Sequence, residues 1–120
     1  MPETADPSAL HTQLAQAHQA WQNQQIEQAL RQLEALRQHF PDHPEILHLL
    51  GVIHYSQGNA QTAEPLLAQA CHSCPDYDDY FFNWGNCCWA LQHWEKAGKA
   101  FARACSLNPD LTEAWVKQAQ

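Results

Sequence analysis

The chain has 120 residues, about the length of one domain, which leaves little room for a two-domain enzyme with a cleft between its halves. Its 6 Lys and Arg stand against 13 Asp and Glu, and the net charge of -7 excludes the cation density that nucleic acid or an anionic membrane surface requires. With 45% apolar and 16% charged residues, the composition is typical of a globular protein.

Residues 1–9 form a leader ahead of the patterned part of the chain. They have no basic start and no apolar run, so we expect no signal peptide. No apolar stretch approaches the roughly 20 residues that span a bilayer. The odd number of cysteines, 5, does not suit the disulfide framework of a secreted miniprotein. The sequence therefore predicts a cytoplasmic protein with reduced thiols.

A Pro-Asp pair recurs along the chain at an interval of 34 residues, beginning at Pro41, Pro75 and Pro109. Each pair ends one segment with apolar residues at helical intervals and opens another, which indicates an internal repeat. Small residues also recur, such as Gly51 and Gly85 at the eighth position, and they predict close approach of two helices. The period defines three units: 10–43, 44–77 and 78–111.

Each unit is predicted to be two helices with a short turn between them. In the second unit, Pro44 suits a helix start, and Gly58-Asn59 predicts a left-handed residue followed by an N-cap. In the third unit, Asp76 or Asp78 is expected to cap the first helix.

Two residues that disfavour helical structure lie inside predicted second helices. Pro65 comes several residues after its helix start, where the missing N–H predicts a kink or a broken hydrogen bond. Gly98 lies mid-helix at a cost of about 1 kcal/mol against Ala, which predicts close packing at that site. The second helix of the third unit is expected to end at Asn108-Pro109.

The third unit carries the most distinctive residues of the repeat. They are Phe81, Trp84, Gly85 and Cys88, then Ala97, Phe101, Ala104 and Pro109. This order resembles the tetratricopeptide-repeat (TPR) family. The resemblance implies an all-α solenoid of antiparallel helix pairs wound as a right-handed superhelix. The second unit matches at Leu47, Leu50, Gly51, His54, Ala63, Leu67, Ala70 and Pro75.

The two ends of the chain depart from the family pattern. The first unit places Gln13 and Gln16 where large apolar residues belong, which suits an end repeat whose outer face has no neighbour. Residues 112–120 match the start of another first helix, so we expect a capping helix or the beginning of a fourth unit. We interpret the sequence as the front part of a longer protein.

The resemblance places ligand binding on the concave face, at the second, fifth, ninth and twelfth positions of each first helix. At about 100° per residue these positions fall within an arc of about 80°. His11 and Leu14 share this face, as do Glu113, Val116 and Gln120 in the terminal segment. The predicted ligand-binding residues are His18, Trp21, Glu45, His48, Val52, Tyr55, Asp79, Phe82, Asn86 and Trp89.

The residues of this face differ from those that the family uses in two of its known functions. TPR proteins that clamp a chaperone's C-terminal carboxylate use Lys, Arg and Asn there, and only Asn83, Asn86 and the nearby Lys117 remain here. TPR arrays fused to glycosyltransferases often have an asparagine ladder. That ladder is not made here, because Asn83 has no counterpart in the other units.

Two features of the face have alternative interpretations. Glu45 and Asp79 form either an acidic edge that selects a Lys- or Arg-bearing ligand, or helix-start carboxylates that favour the helix dipole. The aromatic residues, Trp21 and Tyr55 among them, either pack between adjacent helices or form an exposed apolar patch that receives a ligand.

Cys71 and Cys74 make the one motif with metal chemistry. Their C-x2-C spacing is half a zinc site, but a closed site needs four ligands and the sequence has no second such pair. The alternative is that Cys71 and Cys105, like Cys87 and Cys88, are small apolar core residues. The 8 histidines could make association depend on pH, although their spread suits surface composition. We predict no metal and no cofactor.

The sequence favours a non-enzymatic protein-interaction module. It has no nucleophile elbow or phosphate loop, and Cys88 with His93 is not an activated dyad. The expected partner is another protein or peptide, apolar, aromatic or basic, and the protein's own C-terminal region is an alternative occupant. Neither nucleic acid nor a membrane is expected. Two other functions stay open: the recruiting arm of a larger glycosyltransferase, sulfotransferase or methyltransferase, or an oligomerisation module that forms homo-oligomers.

Overall fold

The computed structural model describes residues 7–111, which form six α-helices and a short 3-10 turn at Pro109–Leu111. The helices are α1 Pro7–Gln22, α2 Ile26–His39, α3 Pro44–Ser56, α4 Ala60–Ser73, α5 Asp78–Ala90 and α6 Trp94–Leu107. They pack in sequential pairs, α1 with α2, α3 with α4 and α5 with α6, and each pair packs against the next. This part of the chain has no strand, so the predicted all-α helical-repeat solenoid is confirmed.

The helix boundaries can be set beside the predicted units. The first helix begins at Pro7, inside the residues assigned to the leader, whereas α3 and α5 begin at the first residues of the second and third units. The helix expected over 112–120 lies outside the described residues, and so do Glu113, Val116 and Gln120. None of the described helices is both long and apolar enough to span a bilayer.

Two helix ends in the second unit follow the predicted chemistry. Pro44 opens α3, and the ring of His43 caps that helix because its Nδ1 accepts a hydrogen bond from the Glu45 N–H at 3.2 Å. Gly58 has a φ of +84°, the left-handed conformation predicted for it.

Other helix predictions agree with the structure only in part. Asn59 occupies the N-cap of α4, but its side chain makes no capping hydrogen bond. Tyr77 is the N-cap of α5, and Asp78 is already helical, where it accepts a hydrogen bond from Asn108 Nδ2 at 3.1 Å. This carboxylate therefore ties the start of α5 to the end of α6. The helix α4 runs unbroken past the exposed Pro65, which leaves one helical hydrogen bond unmade.

Glycines mark the closest approach of the two helices within a unit, as predicted. A Cβ at Gly51 would lie 2.6 Å from the Leu67 side chain, and one at Gly85 would lie 2.7 Å from the Phe101 ring. At Gly98 the prediction of close packing is wrong, because no described atom lies within 4 Å of a Cβ built there. Gly98 therefore has the helix cost of a glycine without a close neighbour to explain it.

The core is apolar and runs across the units without a break. One cluster joins residues from α1 through α5, and two smaller clusters fill the space around α4, α5 and α6. Cys71, Cys87 and Cys88 are buried among these side chains, and burial raises the pKa of the Cys87 thiol to about 12. The interpretation as core residues is therefore confirmed for these three cysteines, whereas Cys105 is only half-buried.

Candidate interaction surface

The predicted ligand-binding residues lie on three neighbouring helices. The first helix of each unit contributes, with α1 in contact with α3 and α3 in contact with α5. We call the surface that these residues form the first-helix face. It consists of His18 and Trp21 on α1, Glu45, His48, Val52 and Tyr55 on α3, and Asp79, Phe82, Asn86 and Trp89 on α5.

Exposure divides the first-helix face into two groups. His18, Glu45, Tyr55 and Asp79 are exposed, whereas the remaining members are half-buried. Leu14 was expected on this face, but it is buried as part of the α1 core, so that expectation is wrong. Its side chain still borders a shallow cavity of about 200 Å³ together with His11, Ala15, His18 and Glu45.

His48 joins two helices of the face instead of standing open. Its ring stacks on Tyr80 with 4.3 Å between centroids, and its Nε2 lies 2.9 Å from Asn83 Nδ2. Burial lowers the pKa of His48 to about 4, so the ring is neutral at pH 7 and Nε2 accepts the hydrogen bond that the amide donates. Sequence reasoning missed both partners, although each lies about one repeat length along the chain from His48.

The aromatic residues of the face are held on one side by the protein. Trp21 packs against the largest core cluster, and Phe82 packs against Phe101 with 5.6 Å between ring centroids. Trp89 makes an edge contact with Trp94 at 4.7 Å. Tyr55 is the most open of them, with 37% of its surface exposed. These rings are therefore positioned by packing while part of their surface stays accessible.

The charge of the face is negative. Glu45 and Asp79 are exposed in the first turns of α3 and α5, and the described part of α1, α3 and α5 carries no Lys or Arg. Partial burial and the neighbouring Asp78 raise the pKa of Asp79, because both disfavour a second carboxylate charge. A cationic group of a ligand would relieve that repulsion.

The C-x2-C motif does not form a metal site in the described structure. Cys71 is buried, and burial raises its pKa to about 12, which disfavours the thiolate that a metal needs. Residues 7–111 contain no group of three or more His, Cys, Asp or Glu arranged to hold a metal ion. Cys71 packs in the core, and Cys74 beside it is half-buried.

Comparison with known families decides what kind of scaffold this is. A tetratricopeptide-repeat profile matches residues 14–78, which is more than half of the chain, and a second matches residues 78–111. The chain belongs to the tetratricopeptide-repeat family. TPR repeats indicate a protein-interaction module, and the TPR fold is generally a non-catalytic scaffold.

Solved TPR structures share the fold. An O-GlcNAc transferase mutant from Thermobaculum terrenum matches with a TM-score of 0.83 and 30% identity, covering 92% of this chain and 21% of that chain. The first TPR of Spaghetti, bound to an HSP90 peptide, matches with a TM-score of 0.84 and 18% identity, covering 93% and 89%. YrrB, a TPR protein with an unusual peptide-binding site, gives 0.78 and 18% identity, covering 99% and 59%. No curated protein sequence matches the chain significantly.

Proposed function

We propose that this TPR chain binds a peptide or helical segment of another protein on its first-helix face. The observation that carries the proposal is the row of half-buried and exposed aromatic rings on the first helices of three successive units, whose described part carries no Lys or Arg. Exposed aromatic surface of this kind is typical of protein-binding sites. The Spaghetti structure, which contains a bound HSP90 peptide, supports a peptide as the class of ligand.

Binding would come from apolar burial, with charge selecting the orientation of the ligand. The Trp89 ring already packs on Trp94, so it loses little side-chain entropy when a ligand covers it, whereas the more exposed Tyr55 offers the larger open surface. Glu45 and Asp79 lie about ten residues earlier in the same helices, which places them about 15 Å from these rings along the helix axis. A ligand with an apolar part and a Lys or Arg fits this arrangement.

The partner and the compartment follow from the same surface and from the thiols. All five cysteines are unpaired, and three of them are buried, which supports a reducing compartment such as the cytoplasm. The partner is another protein, and the protein's own C-terminal region or a second copy would compete for the same face. We infer no enzymatic role for the repeats themselves.

The test is a peptide selection against the wild-type chain and against a double variant, Tyr55→Ala with Trp89→Ala. We expect the wild type to enrich peptides with aromatic or apolar residues near a Lys or Arg, and we expect the double variant to lose them. Tyr77→Ala is the matched control, because Tyr77 is 54% exposed but lies at the N-cap of α5, at the opposite end of that helix from Trp89. Equal enrichment by the double variant and the wild type would reject the first-helix face as the binding site.

A second candidate is the recruiting arm of a larger enzyme. The observation that favours it is the 30% identity to the O-GlcNAc transferase, of which this chain spans about a fifth of the length. In that case the first-helix face would bind the substrate protein of a separate catalytic domain. Reading the gene beyond the codon for Gln120 tests this candidate, and a stop codon at that point would remove it.

A further inference from the structure

Three aromatic residues of the first-helix face occupy the same place in successive units. Trp21, Tyr55 and Trp89 stand at the twelfth position of the repeat, and each is the next-to-last residue of its helix. They therefore form a row across α1, α3 and α5 at the end of the face beside the turns within units. We call this row the aromatic ladder.

The spacing of the ladder matches one type of extended peptide. Axes of packed helices lie about 8–10 Å apart, and α1 contacts α3 as α3 contacts α5, so we expect successive ladder residues to be about that far apart. A polyproline II segment rises about 3.1 Å per residue with three residues per turn, so it presents the same side about every 9 Å. One residue in every three would thus meet one ring of the ladder. An α-helix presents the same side every 5.4 Å, or every second turn at about 10.8 Å, which is longer than the separation of packed helix axes.

The hydrogen-bonding groups of the ladder suit the same ligand. Within residues 7–111, Trp21 Nε1, Tyr55 Oη and Trp89 Nε1 have no hydrogen-bond partner, whereas Trp84 Nε1 donates to Glu64 Oε2 at 2.9 Å. The Tyr55 hydroxyl is protonated at neutral pH and can donate, and burial raises its pKa further above the ordinary value of 10.0. A polyproline II segment has no internal hydrogen bonds, so its carbonyl groups are available to accept from such donors.

The turns around the ladder favour a ligand segment that is uncharged at this end of the face, about 15 Å along the helix axis from Glu45 and Asp79. The turns within units, at 22–25, 57–59 and 91–93, consist of Gln, Asn, Gly, Leu and His, without Asp, Glu, Lys or Arg. Tyr55 borders an open cavity of about 690 Å³ together with Asn59 and Leu91, next to the second of these turns. A charged side chain would find no counter-charge in these turns, whereas a proline or glutamine would lose little on binding.

We propose that the aromatic ladder binds an uncharged proline-rich segment in the polyproline II conformation, with a proline at every third position. The inference rests on the proposed function, since it names the ligand class for one end of the same face. The rings receive the prolines, and the indole N–H and phenol O–H groups donate to the carbonyls of the segment. Aromatic-lined surfaces bind proline-rich segments in this way because the polyproline II helix loses little entropy on binding.

The probe is a capped, labelled peptide of repeated Pro-Gln-Gln triplets, long enough to cross three helices. Its control has the same composition in an order that removes the three-residue period. We expect saturable binding of the triplet peptide, measured by fluorescence anisotropy, and at least tenfold weaker binding of the permuted peptide. Tyr55→Ala should weaken triplet binding about tenfold, Tyr55→Phe a few-fold through loss of the hydroxyl, and Tyr77→Ala not at all.

Each alternative result has a definite meaning. Equal affinity for the two peptides, an unaffected Tyr55→Ala variant, or no saturable binding of the triplet peptide would overturn the inference. If the peptide selection on the wild type still yields ligands that need Tyr55 but lack the triplet, the proposed function stands and only the ligand class is wrong. If neither the selection nor the triplet peptide gives a ligand, both fail. Urea unfolding of the Tyr55 variants establishes that each is folded.

Discussion

The two junctions between units are built from different chemistry. At the first junction, Leu30 and Leu50 belong to one apolar cluster that joins the first two units. At the second junction the equivalent positions hold Glu64 and Trp84, and Glu64 Oε2 accepts a hydrogen bond from Trp84 Nε1 at 2.9 Å. Further hydrogen bonds cross the second junction: His48 with Asn83, Cys87 with the Ala60 carbonyl, and Arg103 with the Pro75 carbonyl.

This difference assigns separate roles to the two junctions. Apolar burial stabilises contact without fixing direction, whereas a hydrogen bond is strong only over a narrow range of distance and angle. The second junction therefore fixes how α5 sits against α3, and with it the spacing of Tyr55 and Trp89. The first junction supplies burial and one exposed hydrogen bond, which Gln69 Nε2 donates to Asp42 Oδ1 at 3.1 Å, and it holds Trp21 by packing against the core.

The largest expected effect comes from His48, whose counterpart at the first junction is the buried Leu14. The folded pKa of about 4 lies below the ordinary value of 6.5, so the unfolded chain binds the proton more tightly. Stability due to the neutral ring is thus fully present above pH 6.5 and is lost as the pH falls toward 4. We expect the wild type to lose about 3 kcal/mol more than His48→Leu across this window.

Urea unfolding at several pH values measures this difference, and His39→Gln on the exposed surface of α2 is the matched control. Parallel pH profiles for the wild type and His48→Leu would show that His48 does not titrate as the structure indicates. In that case the second junction would lose its pH-sensitive contact and resemble the first.

Substitutions at the glycine inside each unit should destabilise the second and third units by similar amounts. A Cβ at Gly51 meets Leu67, and one at Gly85 meets Phe101, at nearly the same distance. Because Leu67 and Phe101 are fully buried, neither can move away cheaply. We expect Gly51→Ala and Gly85→Ala each to cost about 2 kcal/mol in urea unfolding. Costs that differ by more than about 1 kcal/mol would show that the units, and not only their junctions, are built differently.

The repeat and its helix pairs could be predicted from the sequence because their signals are local and recur. Pro44 at a helix start, Gly58 in a turn, and Gly51 with Gly85 at the eighth position each depend on neighbours that lie within one unit. The exposed part of the first-helix face could be predicted for the same reason, since helical periodicity determines which residues share a side.

The junction partners could not be predicted, because they depend on which side chains meet across two units. His48 was predicted to contact a ligand, yet it contacts Tyr80 and Asn83. Leu14 stands at the same repeat position and is buried. One position thus has different surroundings in successive units, and periodicity alone assigns it a single role.

The hydrogen bond of Glu64 should account for a smaller part of the stability of the second junction. Glu64→Leu introduces the residue type that the first junction has at this position, Leu30. It also leaves the half-buried Trp84 N–H without its acceptor. We expect a loss of about 1–2 kcal/mol in urea unfolding. Glu64→Gln is the matched control, because its amide oxygen can still accept from the indole, and it should retain most of the stability. The exposed ion pair with Lys96, at 3.9 Å, should add little.

An outcome in which Glu64→Leu is as stable as the wild type would show that the second junction tolerates apolar contact as the first does. The hydrogen bond from Trp84 to Glu64 would then not be needed to fix the orientation of α5.

The smallest expected effect is at Gly98. This residue occupies the same repeat position in the third unit as Leu30 in the first and Glu64 in the second. No described atom lies within 4 Å of a Cβ at this site, so Gly98→Ala removes the helix cost of glycine without creating a clash. We expect a gain of about 1 kcal/mol in urea unfolding, opposite in sign to Gly85→Ala in the same unit. A loss of stability would mean that a neighbour packs on Gly98 as Trp84 packs on Glu64.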